Sequence, residues 1–343
     1  MNAPDSPLLQ VRELRVSYAT RHRGRAVRVR ALENVSFDLD SGQTLGIVGE
    51  SGSGKSTLAR ALLRLIRADG GQIRFHGRDL LGLRGADLHA VRAHLQMIFQ
   101  DGISALDPRQ RIGSILAEPL EIFRPQLPHS QRRERVLAML ERVGLESLHL
   151  RRYAHEFSGG QAQRVGIARA LIVEPELIVC DEPLSSLDVS IKAQITALLQ
   201  QLQRDLGLSL LFIAHDLPAV QLLCDRVLVL YLGRVMEVGP AEAVYTGPHH
   251  PYTEALFSAV PSLDGQRHER IKLHGEIPSA ADPPSGCVFH TRCPRKLTTG
   301  VCESTEPPLL EGEPGHLIRC HIPLADLRKI QTSESAPSHG GFE

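Results

Sequence analysis

The sequence predicts an α/β fold in which a parallel β-sheet is covered by helices on both faces. Two observations lead to this prediction. Unbroken apolar runs separated by helical stretches recur along the chain, at residues 44–49, 177–180, 210–214 and 227–232. Such runs are typical of parallel strands that are buried on both sides. In addition, a Gly-rich loop, GESGSGKST, directly follows the first of these runs, as expected where a strand feeds a helix through a phosphate-binding turn.

The composition sets bounds on size and partners. The 343 residues suit about two domains, and an apolar fraction of 42% is enough for a sizeable core. Lysine plus arginine (39) balances aspartate plus glutamate (39), so the charge gives no case for a nucleic-acid partner. The first residues lack the features of a signal peptide. The longest uncharged apolar run, residues 206–214, is far shorter than the roughly 20 residues that span a bilayer. We therefore expect a soluble chain that meets membranes through partners.

Further elements follow in chain order. Alternating segments within residues 8–45 predict antiparallel strands. Between them, residues 21–30 are interpreted as a solvated basic loop, with a lipid or phosphate contact as the alternative. The polar, proline-marked region 101–160 predicts an inserted helical subdomain, and the final polar residues predict a disordered tail. The helix after the Gly-rich loop is expected to carry on one face Leu58, Leu62, Leu65 and Ile66.

The Gly-rich loop indicates a nucleotide site. Gly49, Gly54, Lys55 and Ser56 match G-x-x-x-x-G-K-[ST], in which backbone amides wrap the phosphates, lysine reaches the β/γ oxygens and serine offers a hydroxyl to Mg²⁺. The run LIVC then ends in two carboxylates at the sheet edge where α/β proteins bind ligands.

The two carboxylates are given different roles. We expect Asp181 to hold Mg²⁺, through water, and Glu182 to polarise the attacking water. In the alternative interpretation Glu182 is an ordinary surface acid. The presence of Lys55 and Asp181 in the same chain disfavours that alternative. His215 and Gln100 each follow another apolar run. His215 is expected to sense the γ-phosphate and Gln100 to bind water or metal, although either alone is ambiguous.

A second Gly-rich turn, in EFSGGQAQR, opens another helix. Ser158 is a good N-cap, and the free amides and dipole of the helix start form a second anion site. Gly159 and Gly160 would let this backbone approach a phosphate closely. The alternative is an ordinary capped helix. Because the first loop already surrounds its ATP from one side, we expect the second turn to serve the ATP of another chain, with two chains facing head to tail.

Taken in order, these elements resemble the ATP-binding cassette (ABC) ATPases. The matching stretches are 49–57, Gln100, 157–161, 177–182, 185–188 and His215. The combination is specific, because other P-loop classes lack both the serine-glycine turn and the histidine. The resemblance implies an α/β, P-loop (RecA-like) core with an antiparallel β subdomain, an inserted helical subdomain of about residues 101–165, and a small Cys-rich C-terminal extension.

The resemblance also implies residue roles. Catalysis would fall to Glu182, His215 and Gln100, and Mg²⁺ to Ser56, Gln100 and Asp181. ATP would be bound by Tyr18 (stacked on adenine), Gly49, Ser51, Gly52, Ser53, Gly54, Lys55, Ser56 and Thr57, and across the dimer by Ser158, Gly159, Gly160, Gln161 and Asp188.

Three residues depart from the family pattern without removing a catalytic group. These are Phe157 where leucine is usual, Ala162 where arginine or glutamine is common, and Gly102 where proline often follows the aspartate. Gly102 is expected to loosen the surface beside Gln100.

The C-terminal part resembles the peptide/nickel branch of ABC importers. The stretches 247–256 and 275–294 carry this likeness, and residues 103–120 are closest to the F-type ATPase subunit of that branch. The resemblance implies an ABC ATPase domain at 8–245, an extension at 246–325 and a disordered tail at 326–343.

This branch implies a particular function. The chain would be a peripheral ATPase on the cytoplasmic face of the bacterial inner membrane, powering di- or oligopeptide import. Its partners would be a paralogous or identical ATPase subunit, two transmembrane permease subunits and an extracytoplasmic substrate-binding protein. Nickel, glutathione or opine import is an alternative, and so is a soluble ABC mechanoenzyme.

Four cysteines crowd the extension, while Cys180 and Cys224 are interpreted as buried thiols. The four are spaced C-x5-C-x8-C-x17-C, and they are Cys287, Cys293, Cys302 and Cys320. Disulfides do not suit a chain without an export signal. Zn²⁺ favours closer cysteine pairs, whereas a [4Fe–4S] cluster tolerates irregular spacing. The resemblance implies the [4Fe–4S] cluster, with Zn²⁺ or unligated thiols as alternatives.

Overall fold

The structure is a computed structural model that describes residues 6–22, 25–259 and 270–333. In these parts of the chain the strands are β1 (Leu9–His22), β2 (Arg25–Leu39), β3 (Thr44–Val48), β4 (Gly70–Phe75), β5 (Arg78–Asp79), β6 (Leu95–Ile98), β7 (Leu177–Asp181), β8 (Ser209–Ile213), β9 (Arg226–Tyr231), β10 (Arg234–Pro240), β11 (Leu310–Glu313) and β12 (His316–Ile318).

Helices connect and cover these strands, and two short 3₁₀ turns lie at Ser147–Arg151 and Ala154–Glu156. The helices are α1 (Lys55–Leu62), α2 (Gly85–His94), α3 (Ile112–Phe123), α4 (His129–Arg142), α5 (Gly159–Leu171), α6 (Val189–Leu206), α7 (Leu217–Leu223), α8 (Ala241–Thr246), α9 (Pro251–Phe257), α10 (Val301–Ser304) and α11 (Leu324–Ser333).

The larger sheet has the strand order β11-β12-β10-β9-β3-β8-β7-β6. Neighbours from β9 to β6 pair in parallel, which confirms the predicted parallel sheet. Successive side chains of a strand point to opposite faces of the sheet, and apolar residues cover both faces here. In β8, Leu210 and Phe212 enter one apolar cluster, and Leu211 and Ile213 enter the cluster on the opposite face.

The smaller sheet has the order β2-β1-β4-β5 and is antiparallel throughout, as predicted for residues 8–45. Its strands extend further than expected. β1 and β2 stay paired as far as His22 opposite Arg25, so most of the stretch 21–30 that was interpreted as a loop is strand. Residues 23–24 lie outside the described residues.

Two other expectations are corrected. Helix α1 ends at Leu62, so Leu65 is not part of its buried face and is exposed. The chain turns there because Arg64 adopts a left-handed φ of 54°. The predicted tail began at 326, but α11 continues to Ser333 and buries Leu327 completely. The remainder of that predicted tail, 334–343, lies outside the described residues.

The C-terminal extension is joined to the core sheet through a buried carboxylate. Strand β12 pairs with β10, which places Ile318 opposite Glu237. The Glu237 carboxylate is fully buried, lies 2.7 Å from Nε2 of His316 and accepts the backbone N–H of His250 at 2.9 Å. Burial lowers the pKa of His250 to about 4, so its neutral ring accepts the N–H of Tyr252 at Nδ1 (3.0 Å).

Replacing Glu237 should therefore destabilise the protein strongly. In Glu237→Ala, His316 and the amide of His250 lose a buried partner, and we expect a loss of about 3–5 kcal/mol in the free energy of unfolding. The matched control is Asp326→Ala, which breaks an exposed pair with Lys329 and should cost less than about 0.5 kcal/mol. Denaturant unfolding of both variants measures the difference. Equal losses would contradict this assignment.

Candidate functional site

The phosphate loop lies between β3 and α1, and its shape requires glycine at two positions. Gly49 and Gly54 have φ values of 152° and 107°, in the left-handed region that glycine favours. A Cβ atom at Gly49 would lie 2.2 Å from the carbonyl oxygen of Leu230, and one at Gly54 would lie 2.5 Å from that of Ala31. These backbone contacts fix the course of the loop as it enters α1.

Lys55 is buried at the base of the loop. Its Nζ donates to the carbonyl oxygens of Gly49 (2.7 Å) and Glu50 (3.0 Å). Burial lowers the pKa of Lys55, while the nearby carboxylates of Glu182, Asp181 and Glu50 act in the opposite direction. The ammonium group is thus held against the backbone of the loop itself.

Ser56 and Asp181 come together from different elements. The Ser56 hydroxyl, in the first turn of α1, donates to Oδ1 of Asp181 at the end of β7 over 2.9 Å. Burial raises the pKa of Asp181, and the hydrogen bond from Ser56 lowers it. A hydroxyl and a carboxylate side by side are oxygen ligands of the type that Mg²⁺ binds, so the residues fit the expected metal.

Glu182 forms the centre of the predicted catalytic group. Its Oε2 lies 3.4 Å from Nε2 of Gln100 and 3.4 Å from Nδ1 of His215. Its backbone has a φ of 48°, and its N–H donates to the carbonyl of Ile213 at 2.9 Å. A left-handed glutamate is a strained conformation of the kind found at functional sites. The structure therefore brings Gln100, Glu182 and His215 together.

The remaining residues of the first loop flank it. Ser51 and Gly52 are exposed, whereas Ser53 is buried. Tyr18, on β1, has 39% of its surface exposed and lies with its hydroxyl 3.4 Å from that of Thr57. Tyr18 thus stands beside Thr57 at the start of α1, and its adenine contact stays a prediction from the resemblance.

The second Gly-rich turn forms a complete capping box. The Gln161 N–H donates to Ser158 Oγ (3.3 Å), and the Ser158 N–H donates to Gln161 Oε1 (3.1 Å). Gly160 also has a packing role, because a Cβ there would lie 2.6 Å from Cγ2 of Ile191 on α6, while one at Gly159 would lie 3.4 Å from Cδ2 of Leu187. Gly160 therefore lets two helices pack closely.

Asp188 caps α6 next to this turn. Its Oδ1 accepts the N–H of Ile191 at 3.0 Å, and Ile191 is the residue that packs on Gly160. The capped starts of α5 and α6 are thus in contact through the side chain of Ile191.

The segment after Gln100 is tight, contrary to the expectation for Gly102. A Cβ at Gly102 would lie 2.8 Å from the backbone N of Gln163 on α5. Gln163 also donates from Nε2 to the carbonyl of Phe99 (3.5 Å), and Arg169 donates to that of Ala105 (2.7 Å). Glycine therefore allows α5 to bind this segment closely.

The extension reaches the phosphate loop, which was not predicted. Arg292 forms a two-point ion pair with the Glu50 carboxylate, at 2.6 and 3.0 Å. The hydroxyl of Tyr252 accepts the backbone N–H of Glu50 at 2.8 Å. The acidic side chain of Glu50 inside the motif indicates that a partner for its charge is needed. No pattern in the sequence identifies Arg292 as that partner.

The four cysteines of the extension gather in one region. Burial is the largest cause that raises the pKa of Cys293 to about 12 and that of Cys320 to about 11, and the charge of neighbouring thiols acts in the same direction. Among the described residues, no three His, Cys, Asp or Glu side chains form a group suited to a metal ion. Cys180 and Cys224 are buried, as predicted.

The fold and this site define a P-loop ATPase of the ATP-binding cassette type. The family described as "ABC transporter" matches residues 32–185, and "Oligopeptide/dipeptide transporter, C-terminal region" matches residues 236–302. The chain belongs to the ABC transporter ATPases, in the branch with this C-terminal region, and it couples ATP hydrolysis to transport. Every helix in the described ranges is too short or too polar to cross a membrane.

Similar proteins support this assignment over most of the chain. The Oligopeptide transport ATP-binding protein OppF of Salmonella typhimurium is 53% identical over 85% of this chain and 87% of its own length. A putative peptide import ATP-binding protein of Brucella ovis is 51% identical over 92% and 98%. A dimeric post-hydrolysis ATP-binding cassette bound to ADP and Pi has a TM-score of 0.62 and 26% identity, over 68% of this chain and 99% of its own.

Proposed function

We propose that this chain is the ATP-hydrolysing subunit of an importer of di- and oligopeptides, bound peripherally at the cytoplasmic face of the bacterial inner membrane. The observation that carries the proposal is the group formed by Ser56, Asp181, Glu182, Gln100 and His215 in a chain with the peptide-transporter C-terminal region. Relatives named as oligopeptide transport ATP-binding proteins match 85% of this chain.

The geometry supports the following chemistry. The loop amides and Lys55 would bind the phosphates, and Ser56, Asp181 and Gln100 would hold Mg²⁺, which would neutralise phosphate charge. Glu182 accepts the proton of the attacking water, and the contacts at 3.4 Å from Gln100 and His215 orient its carboxylate. His215, just after β8, would sense the γ-phosphate.

The second anion site is proposed to complete the nucleotide site of another subunit. The capping box satisfies part of the helix start, and the remaining amides and dipole of α5 favour an anion. In this proposal Ser158, Gly159, Gly160, Gln161 and Asp188 act on the ATP of a paralogous or identical partner. The post-hydrolysis cassette that resembles this chain is dimeric, which supports such an arrangement.

A groove beside Gln100 suits the permease subunits. It has a volume of about 360 Å³ and lies between the core and the helical insert. Its lining includes Leu65, Met97, Phe99, Ile122 and Arg169, and several of these apolar side chains are exposed. An amphipathic permease helix would cover them. Substrate would reach the permease from an extracytoplasmic binding protein.

Changing Glu182 should separate ATP binding from hydrolysis. In Glu182→Gln we expect ATP to bind and hydrolysis to fall by about 10²–10⁴, because the amide accepts no proton. With its partner ATPase the variant should form a stable closed pair, seen as a larger species in size-exclusion chromatography with ATP. Labelled oligopeptide uptake by membrane vesicles containing the assembled transporter should stop.

Glu176→Gln is the control. Glu176 lies just before β7, at the end of that strand opposite to Glu182, and it pairs with two exposed histidines. It should hydrolyse ATP normally. Wild-type hydrolysis by Glu182→Gln would eliminate Glu182 as the base. Uptake of nickel but not of peptide by the wild-type complex would contradict the proposed peptide substrate and leave the ATPase role unchanged.

We also propose that the four cysteines of the extension hold a [4Fe–4S] cluster. Thiolates around one Zn²⁺, bound at about 2.3 Å, would lie only about 4 Å apart, and the described residues offer no such compact group. Cys287 and Cys302 are nevertheless close, because the N–H of Cys287 donates to the carbonyl of Cys302 at 2.9 Å. A four-iron cluster spreads its thiolates further apart than a single ion.

Metal analysis tests this proposal independently of ATPase activity. Anaerobically purified protein should be brown and contain iron and sulfide in equal amounts, and Cys320→Ser should lose most of both. Cys224→Ser, at a buried cysteine outside the group, should keep them. A colourless wild-type protein with one zinc per chain would refute the cluster.

A further inference from the structure

Glu50 connects the phosphate loop to the C-terminal extension through its carboxylate and its backbone N–H. Its carboxylate receives both terminal nitrogens of Arg292 at 2.6 and 3.0 Å. Its backbone N–H donates to the hydroxyl of Tyr252, and its carbonyl accepts from Lys55. Glu50 is therefore held by Lys55 on one side and by the extension on the other.

The extension side of this contact is rigid. The side chain of Arg292 is 7% exposed and also lies 3.4 Å from the hydroxyl of Tyr231. The rings of Tyr231, Tyr252 and Phe289 pack on one another with centroids 4.7 to 5.3 Å apart. A two-point arginine–carboxylate pair with little exposure has a fixed geometry and resists replacement of either partner.

We propose that Arg292 and Tyr252 are positioning residues that set the ATP affinity of the phosphate loop from the C-terminal extension. They hold Glu50 so that the loop amides are already arranged for phosphate before nucleotide binds. Arg292 stands in the segment between Cys287 and Cys293, so a movement of that segment is transmitted directly to the loop. This inference rests on ATP binding at the loop and adds a control element to it.

The test compares ATP affinity and kinetics in full-length variants. Arg292→Met should raise the Kd for ATP about tenfold, because the Glu50 carboxylate loses its partner and the loop is released. Arg292→Lys keeps the charge without the two-point geometry, and Tyr252→Phe removes only the acceptor, so each should raise Kd by about threefold. KM for ATP should rise in parallel while kcat stays close to wild type.

Arg295→Met is the matched control. Arg295 lies three residues after Arg292 and has similar burial, and it pairs at two points with Glu254, at 2.7 and 2.8 Å, instead of with the loop. It should leave the Kd for ATP unchanged even if the melting temperature falls. A double-mutant cycle with Glu50→Gln should show that Arg292→Met has little further effect once Glu50 is neutral.

The outcomes separate the two proposals. If the wild type and every variant fail to bind ATP, the nucleotide site itself is refuted. If the wild type binds ATP and Arg292→Met, Arg292→Lys and Tyr252→Phe bind it equally well, the positioning role is refuted. Parallel loss of affinity in Arg292→Met and Arg295→Met would show that the pair acts only through the stability of the extension, and would also overturn it.

Discussion

The backbone carbonyls of Leu230 and Ala31 lie against the phosphate loop from two sides, and this contact leaves room for glycine alone at Gly49 and Gly54. Both carbonyls belong to the sheets or their immediate ends: Leu230 is in β9, and Ala31 is in β2. The loop therefore takes its shape from the fold, and its amides need little rearrangement to meet phosphate. Two further contacts hold the loop: the buried Lys55 bonds to its backbone, and the extension bonds to Glu50.

The reacting groups gather because neighbouring parallel strands end at one edge of the sheet. Strands β3, β8, β7 and β6 are adjacent in that order, and the polar residues that follow them are Ser56, His215, Glu182 and Gln100 in turn. Since carboxyl ends of parallel strands meet at one edge, residues far apart in the chain become neighbours around one ligand. The hydrogen bond between Ser56 and Asp181 spans 125 positions in this way.

This edge explains why so much of the site could be predicted from the sequence. Each functional residue follows an apolar run, so identifying the strands places Asp181, Glu182 and His215 together. What could not be predicted depends on contacts between elements. The Glu50–Arg292 pair joins residues 242 positions apart, the fit of Gly102 against Gln163 depends on the course of α5, and the buried carboxylate of Glu237 depends on the pairing of β10 with β12. Motifs indicate roles, whereas packing determines partners.

The most direct test of the account is the ATP affinity of Gly54→Ala compared with Gly42→Ala. Both glycines have positive φ values, 107° and 73°, but only at Gly54 would a Cβ meet a backbone atom, while nothing lies within 4 Å of that position at Gly42. If the carbonyl of Ala31 fixes the loop, Gly54→Ala should lose ATP affinity by at least about a hundredfold. Gly42→Ala should bind ATP as the wild type does. Wild-type affinity in Gly54→Ala would contradict the account.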